Sequence, residues 1–168
     1  MDFNKYFAKA QNSSFYLMLL NRVLLRFIPF NGPHKILITG ITDNSTTIKL
    51  PYRKKNMNHL KGLHACALAT LAEYTAGLTL IRKLSSEKYR LILKKIEVDY
   101  FFQGKTDASA TFVVEDEWLK KNVLTPLSER EKIETWCEVK VYDANDNHLA
   151  TGKTLWQIKD WEAVKTKV

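Results

Sequence analysis

The sequence predicts an α+β domain in which one long apolar helix is wrapped by an antiparallel sheet of about six strands. Apolar residues between positions 60 and 81 recur at spacings of three and four, which indicates a helix that is buried nearly all round. After position 90, several segments alternate apolar and polar residues, which is typical of antiparallel strands covered on one face. The chain has 168 residues, enough for a single domain with a sizeable core.

The first predicted element is an amphipathic helix over residues 3–28. Its apolar positions recur every three, four or seven residues, and Pro29 and the run 31–33 (Asn-Gly-Pro) end it. One interpretation is that this helix packs on the domain or at an interface. The other is peripheral contact with a membrane surface, because cations accompany the apolar face. These cations are Lys5, Lys9, Arg22 and Arg26.

The remaining elements are mostly strands. Residues 35–42 and 46–52 are β-rich runs around the turn residues 43–45, and they predict a hairpin that precedes the central helix. Four further strands and a charged connection with a short helix follow the central helix. The strands are expected near residues 95–102, 108–114, 133–142 and 149–158, and the connection at 116–130. We therefore expect one domain, with an N-terminal helix in residues 1–30 and the main body in residues 31–168.

The central helix is predicted from about Leu63 to Leu84, and over residues 62–81 it carries a single charged residue, Glu73, near its middle. A carboxylate costs several kcal/mol to bury unless another group pairs with it or uses it. Glu73 is therefore either a structural ion-pair partner, for instance of a lysine in a neighbouring subunit, or a reactive group in a pocket. The segment is nearly long enough to span a bilayer, but Glu73 and His64 make a poor lipid-facing surface, so we expect a buried helix.

Composition narrows the classes of partner. The net charge of +8 favours nucleic acid, an anionic membrane surface or a phosphate-bearing small molecule. Cys66 and Cys137 lie far apart without CxxC spacing, which disfavours a disulfide scaffold or a zinc site, and we expect no bound metal. Reduced thiols and the lack of a signal-like N-terminus, where Asp2 comes early, predict a cytoplasmic location.

His64 and Glu73 are nine residues apart, which on a continuous helix is about 13.5 Å along the axis and half a turn out of phase. They cannot touch within one chain. A two-fold dimer with antiparallel helices would bring each Glu73 opposite the partner's His64 and create two equivalent sites. Small side chains on the helix would permit this approach: Ala65, Ala69, Ala72, Ala76 and Gly77.

Asn58, His64 and Glu73 are spaced by six and nine residues, with the turn Gly62-Leu63-His64 between the first two. With the order of elements, this pattern over residues 33–158 resembles hotdog-fold acyl-CoA thioesterases of the phenylacetate-pathway type, and in particular a poorly characterised subgroup with Glu on the central helix. The resemblance implies a hotdog fold and hydrolysis of acyl-CoA or acyl-carrier-protein thioesters. It also implies a homodimer, or a tetramer, and no cofactor other than coenzyme A as part of the substrate.

The resemblance implies a role for each residue. Glu73 would act as general base on water or as nucleophile, and the backbone N–H of Ala65 at the helix N-terminus would hold the oxyanion. Asn58 would position the water or the carboxylate. His64 would orient the turn, which includes Gly62, or donate a hydrogen bond near the thioester. The nucleotide end of coenzyme A would meet surface cations, for which the candidates are Arg53, Lys54, Lys55 and Lys61.

Two departures from the family pattern keep other hypotheses open. The family has a second Gly after the histidine, where this chain has Ala65, and a Ser or Thr early in the next strand, where residues 91–96 have none. A non-catalytic acyl- or CoA-binding hotdog protein is therefore the alternative function. A nucleic-acid partner is suggested by charge alone and lacks an aromatic–basic motif, so none is expected. Taken singly, His64 could begin the helix, Asn58 could form a turn and residues 53–55 could be a solvated loop.

Overall fold

The computed structural model describes residues 3–164, so the outermost residues of the two predicted segments, 1–2 and 165–168, lie outside it. Helices and strands follow the predicted order. The helices are α1 (Phe3–Gln11), α2 (Ser14–Phe27), α3 (Ala65–Leu84), α4 (Asp116–Leu119) and α5 (Thr125–Glu129), with a π-helical turn at Lys120–Leu124 between the last two. The strands are β1 (Leu37–Ile41), β2 (Ser45–Leu50), β3 (Tyr89–Tyr100), β4 (Ala108–Val113), β5 (Lys132–Asp143) and β6 (His148–Asp160).

The N-terminal helix predicted over residues 3–28 is present as two helices that meet at Asn12 and Ser13. Ser13 has an extended backbone, with φ −149° and ψ 118°, and it occupies the N-cap of α2, a position that favours Ser and Asn. The bend allows both helices to bury one face in the core. The buried residues are Phe7, Ala10, Leu20 and Leu24.

The six strands form one antiparallel sheet in the order β1-β2-β4-β5-β6-β3, which confirms the predicted α+β arrangement. β1 lies at one edge, where the Asn21 side chain of α2 donates to the Ile38 carbonyl (2.9 Å) and accepts from the Ile38 N–H (2.8 Å). The side chain thus satisfies the edge backbone as a further strand would. β3 lies at the other edge, and no other strand in residues 3–164 covers it.

Strand β5 follows the predicted period of two, with every second residue from Ile133 to Asp143 buried. In strand β3 the period of two is interrupted by one extra residue. Leu93 pairs with Trp156 and Lys95 pairs with Leu155, so Lys94 is an extra residue in a β-bulge. The bulge shifts the alternation, and apolar side chains on both sides of it face the same cleft. They are Leu91, Leu93, Ile96 and Tyr100.

Helix α3 lies across the sheet and begins within two residues of the predicted start. Leu60, at the beginning of the apolar pattern, lies in the preceding turn and is 61% exposed. The helix approaches the sheet closely at Gly152 of β6, where a Cβ atom would lie 2.5 Å from the Cβ of Ala72. This helix-wrapped sheet is the hotdog arrangement that the resemblance implies. Within residues 3–164, no helix combines the length and the hydropathy that a membrane crossing requires.

Candidate active site

A cleft of about 540 Å³ runs between α3 and the edge strand β3. Its lining extends from Cys66, near the N-terminus of α3, to Ile81 in the last turns, which corresponds to about 22 Å of helix. Most of the lining is apolar, and the volume of the cleft falls in the range of small-molecule binding sites. Such a cleft suits an extended apolar group.

Glu73 is the acidic group of this cleft. Burial raises the pKa of its carboxyl above the ordinary value. Among the residues that the structure describes, no lysine, arginine or histidine forms an ion pair with Glu73. Glu73 therefore has no ion pair inside the chain within residues 3–164, which leaves a lysine of a neighbouring subunit as the remaining form of the ion-pair alternative. The carboxyl is half-buried, uncompensated and available in the cleft.

Tyr74 and Asn31 lie beside this carboxyl in the lining of the cleft. Burial raises the pKa of the Tyr74 hydroxyl, the negative charge of Glu73 adds to the rise, and a hydrogen bond with Asn31 opposes it. Tyr74 is therefore neutral at physiological pH. Both residues are buried, and neither was predicted as a site residue: the sequence placed Tyr74 only in the apolar stripe of the helix, and a single Asn carries no spacing signal.

His64 is the N-cap of α3. Its Nδ1 accepts a hydrogen bond from the Cys66 N–H at 3.1 Å, so the neutral ring carries its proton on Nε2. The residue lines a second cavity of about 260 Å³, together with Lys55 and His34. His64 therefore begins the helix, as the plainer interpretation of the sequence proposed, and also faces a cavity.

The backbone N–H of Ala65 is the first of the helix and has no intrahelical acceptor. Among the described residues, it donates no hydrogen bond, whereas the Cys66 N–H reaches His64 and the Ala67 N–H reaches the His64 carbonyl at 2.9 Å. The hydroxyl of Tyr100, at the end of β3, donates to the Ala65 carbonyl at 3.0 Å. The helix N-terminus is thus held by β3 and presents an unused donor at its positive end.

Asn58 and Gly62 form the turn before α3. The side-chain oxygen of Asn58 accepts from the N–H groups of Leu60 (2.9 Å) and Gly62 (3.1 Å), and Asn58 lines neither of the two cavities described above. Gly62 packs against Gln103, whose Cγ would lie 2.6 Å from a Cβ at that position. Lys61 takes a left-handed backbone with φ 60°. The structure therefore assigns Asn58 and Gly62 to the shape of the turn.

The four predicted cations lie around this turn, but in different settings. Lys55 lines the smaller cavity, while Lys54 and Lys61 are exposed and Arg53 is half-buried. Of the four, Lys55 is thus the one that the structure brings to a cavity of the site.

The two cavities are continuous in their lining, because Phe30, Cys66 and Thr70 border both. Glu73 belongs to the larger cavity and His64 to the smaller. Within one chain, the nine residues between the two positions correspond to about 13.5 Å of helical rise, with His64 at the N-cap and Glu73 near the middle of α3. The chain by itself therefore does not bring the predicted base and the predicted oxyanion donor together.

Two further residues that the sequence did not reveal shape the site. Asn56 is fully buried, and its side chain bonds the His34 ring (2.9 Å) and the carbonyls of His34 (2.9 Å) and Pro51 (2.8 Å). Trp156 lines the larger cavity and packs on Gly77, where a Cβ would lie 2.7 Å from the indole ring. Both contacts join parts of the chain that are distant in sequence, so no local pattern marks them.

A family described as a domain of unknown function, DUF4442, matches residues 18–158 of this chain. No curated protein matches this chain significantly. Among solved structures, a Pseudomonas aeruginosa protein of unknown function, described as a probable thioesterase, is similar with a TM-score of 0.77 at 23% identity, over 85% of this chain and 95% of its own. A mutant of a thioesterase enzyme from Staphylococcus aureus gives 0.63 at 15% identity, over 78% and 98%. A thioesterase from Haemophilus influenzae gives 0.68 at 11% identity, over 86% and 90%. At these identities, the similarity shows the fold.

Proposed function

The chain belongs to the DUF4442 family, and on this premise we propose that it hydrolyses acyl thioesters, with Glu73 as the general base or the nucleophile. The observation that carries the proposal is the uncompensated carboxyl of Glu73 in an apolar cleft of about 540 Å³. The hotdog fold and the names of similar structures as thioesterases support the class of reaction.

The position of Glu73 suits proton transfer. A carboxyl whose pKa is raised by burial is a stronger base once it is ionised, and efficiency in general base catalysis is greatest when the pKa lies near the working pH. An unpaired, half-buried carboxyl also lowers the stability of the fold. A side chain that lowers the stability of the folded state and faces a cleft is a candidate for a catalytic role.

A second copy of the chain would complete the site. The free edge of β3 is twelve residues long and carries exposed apolar side chains, with Ile92 at 43%, Ile96 at 38% and Tyr100 at 47% exposure. Antiparallel pairing of two β3 edges would continue the sheet and align the two α3 helices side by side. Glu73 of one protomer would then face the partner's Ala65 and the partner's His64.

In this arrangement the reaction proceeds as follows. Glu73 removes a proton from water, and the hydroxide attacks the thioester carbonyl carbon. The oxyanion receives a hydrogen bond from the partner's Ala65 N–H at the positive end of the helix. The C–S bond then breaks, the sulfur takes the proton from Glu73, and a free acid and a thiol leave. In the nucleophilic variant, the Glu73 carboxylate attacks the carbonyl carbon, the C–S bond breaks and a thiolate leaves. Water then hydrolyses the resulting anhydride, which releases the free acid, regenerates the Glu73 carboxylate and supplies the proton that the thiolate takes up.

The same cavities support a proposal for the substrate. The acyl chain would lie in the apolar cleft along α3, and the thiol arm would cross the smaller cavity past Lys55. The phosphates of coenzyme A would meet the cations Arg53, Lys54, Lys55 and Lys61. We therefore favour acyl-CoA over an acyl carrier protein. The CoA end of the substrate would account for part of the excess positive charge.

The test is a hydrolysis panel from acetyl-CoA to palmitoyl-CoA with wild type, Glu73→Ala, Glu73→Gln and the control Glu117→Gln, which changes an exposed glutamate outside both cavities. Free coenzyme A is measured by chromatography, because the exposed Cys66 would react with thiol reagents. We expect turnover by wild type and the control, and a loss of at least about a hundredfold in both Glu73 variants. Turnover that survives in the folded Glu73 variants would refute the assignment.

The alternative is a non-catalytic acyl- or CoA-binding protein, which the methyl group of Ala65 beside the proposed oxyanion site favours. It predicts saturable binding of acyl-CoA without turnover across the panel. Isothermal titration with the same substrates separates the two functions, since measurable hydrolysis removes the binding-only alternative.

A further inference from the structure

We propose that the exposed face of α2 docks this protein on an anionic lipid bilayer. The face consists of Phe15, Met18, Arg22 and Arg26, which we call the α2 stripe. All four are exposed, and the two apolar members reach 62% for Phe15 and 45% for Met18. The stripe thus combines an aromatic and an apolar side chain in the first half of α2 with two arginines in the second half, and apolar and cationic side chains on one helix are what binding to the interface of anionic membranes requires.

The stripe occupies one side of a helix whose other side is held by the fold. At 100° per residue, its four members lie within about 80° of arc and span about 16 Å of the axis. Leu20 and Leu24 of the same helix are buried in the core, and Asn21 is bonded to the edge of β1. The stripe therefore faces outward on a rigid element, and docking requires no unfolding of α2.

The positive charge around the α2 stripe favours an anionic bilayer over a second copy of the chain as its binding partner. Residues 3–42 contain no Asp or Glu and five of the chain's Lys and Arg residues. These are Lys5, Lys9, Arg22, Arg26 and Lys35. The first carboxylate after them, Asp43, accepts a hydrogen bond from Gln11 at the end of α1. A second copy of the chain would bring the same positive charges against the stripe, whereas an anionic bilayer would attract them and accept the apolar side chains.

The segment that follows α2 leads to the proposed active site. Phe30 follows α2, is 64% exposed and borders both cavities. Docking through the α2 stripe would thus bring the mouth of the cleft towards the bilayer, where long acyl chains partition. This connection rests on the proposed function, but the docking itself does not.

The test is co-sedimentation of the full chain with vesicles of phosphatidylcholine alone and of phosphatidylcholine mixed with phosphatidylglycerol in equal parts. Two double variants alter the stripe, R22E/R26E and F15S/M18S. The matched control K132E/K140E makes the same charge change at exposed lysines on the outer face of β5. Circular dichroism and size-exclusion chromatography check the fold and the oligomeric state of each variant.

We expect binding to the mixed vesicles that weakens with salt, falls by at least about tenfold in both stripe variants and persists in the control. Three results would overturn the proposal: no binding of wild type, an equal loss in the control, or stripe variants that change the oligomeric state instead, which would identify a second copy as the occupant. Vesicle binding without any thioester hydrolysis would leave docking intact and refute the proposed function alone.

Discussion

The contact between Gly77 and Trp156 allows a prediction in which the length of the cleft and the stability of the fold change together. The substitution is Gly77→Ala, on the face of α3 that borders the cleft. A Cβ at this position would lie 2.7 Å from the Trp156 ring, and ordinary contact begins at 3.4 Å. The indole must therefore move by about 0.7 Å. Trp156 lines the cleft, so movement of the ring changes the volume available to an acyl chain.

The expected magnitude follows from two opposing effects. Overpacking of a core costs about 1–3 kcal/mol, while replacing Gly by Ala within a helix gains about 1 kcal/mol. The difference is a net destabilisation of up to about 2 kcal/mol. We expect the upper half of this range, about 1–2 kcal/mol, because the ring is bonded through Nε1 to Thr154 (2.9 Å) and resists displacement. For a domain of this size, that corresponds to a fall in Tm of about 2–8 °C.

The assay combines thermal unfolding with the acyl-CoA panel. We expect the lower Tm and a shift of the preferred chain length, with Gly40→Ala as the control, since a Cβ there meets Thr47 at an ordinary 3.5 Å. The double variant Gly77→Ala/Trp156→Phe should recover part of the chain-length preference. An unchanged chain-length profile with a normal Tm would refute the reasoning that Trp156 bounds the cleft.

Three further predictions follow from individual residues. Burial raises the folded-state pKa of Glu73, so the stability that its protonated carboxyl contributes is fully present in acid and is lost as the pH rises through that pKa. Glu73→Gln should therefore raise Tm at neutral pH and leave Tm unchanged below about pH 4. Wild-type hydrolysis should increase with pH through the same pKa. The same Tm gain at both pH values would contradict this. Lys61→Gly should stabilise the protein by up to about 1 kcal/mol in urea denaturation, because φ 60° strains a side chain, and a loss of stability would show that the turn carries no strain. Asn56→Ala should cost about 2–3 kcal/mol in the same measurement, since it removes a fully buried side chain and leaves two part-buried carbonyl groups without their donor, and a cost below about 1 kcal/mol would be incompatible with the hydrogen bonds described.

The unpaired state of Glu73 has a consequence for the whole chain. A dimer would bury the cleft further and raise the cost of the ionised carboxyl, unless the partner's helix N-terminus compensates for it. The proposed active site and the proposed interface are therefore coupled, and the affinity of the dimer should depend on the protonation of Glu73. Analytical ultracentrifugation of wild type and Glu73→Gln across pH measures this dependence.

Local periodicity in the sequence was sufficient to predict the elements. Helices and strands repeat every 3.6 and 2.0 residues, so the apolar stripe of α3 and the alternation in β5 are visible without a partner segment. The single charge of Glu73 within residues 62–81 and the turn residues around Gly62 could also be read from the sequence, because each is a local pattern of residue types. Where backbone geometry competed with periodicity, the prediction was less accurate, as at the bend of Asn12 and Ser13.

Contacts between distant segments were decided only by the tertiary structure. The sheet order leaves β3 as an uncovered edge, the bulge at Lys94 turns its apolar residues towards the cleft, and Tyr100 reaches the carbonyl of Ala65. The packing of Trp156 on Gly77 depends on strand register across the sheet in the same way. None of these contacts has a local signature, because each results from burying one surface against another that is remote in the chain. The sequence by itself thus predicted which groups could react, while the fold decided what surrounds them.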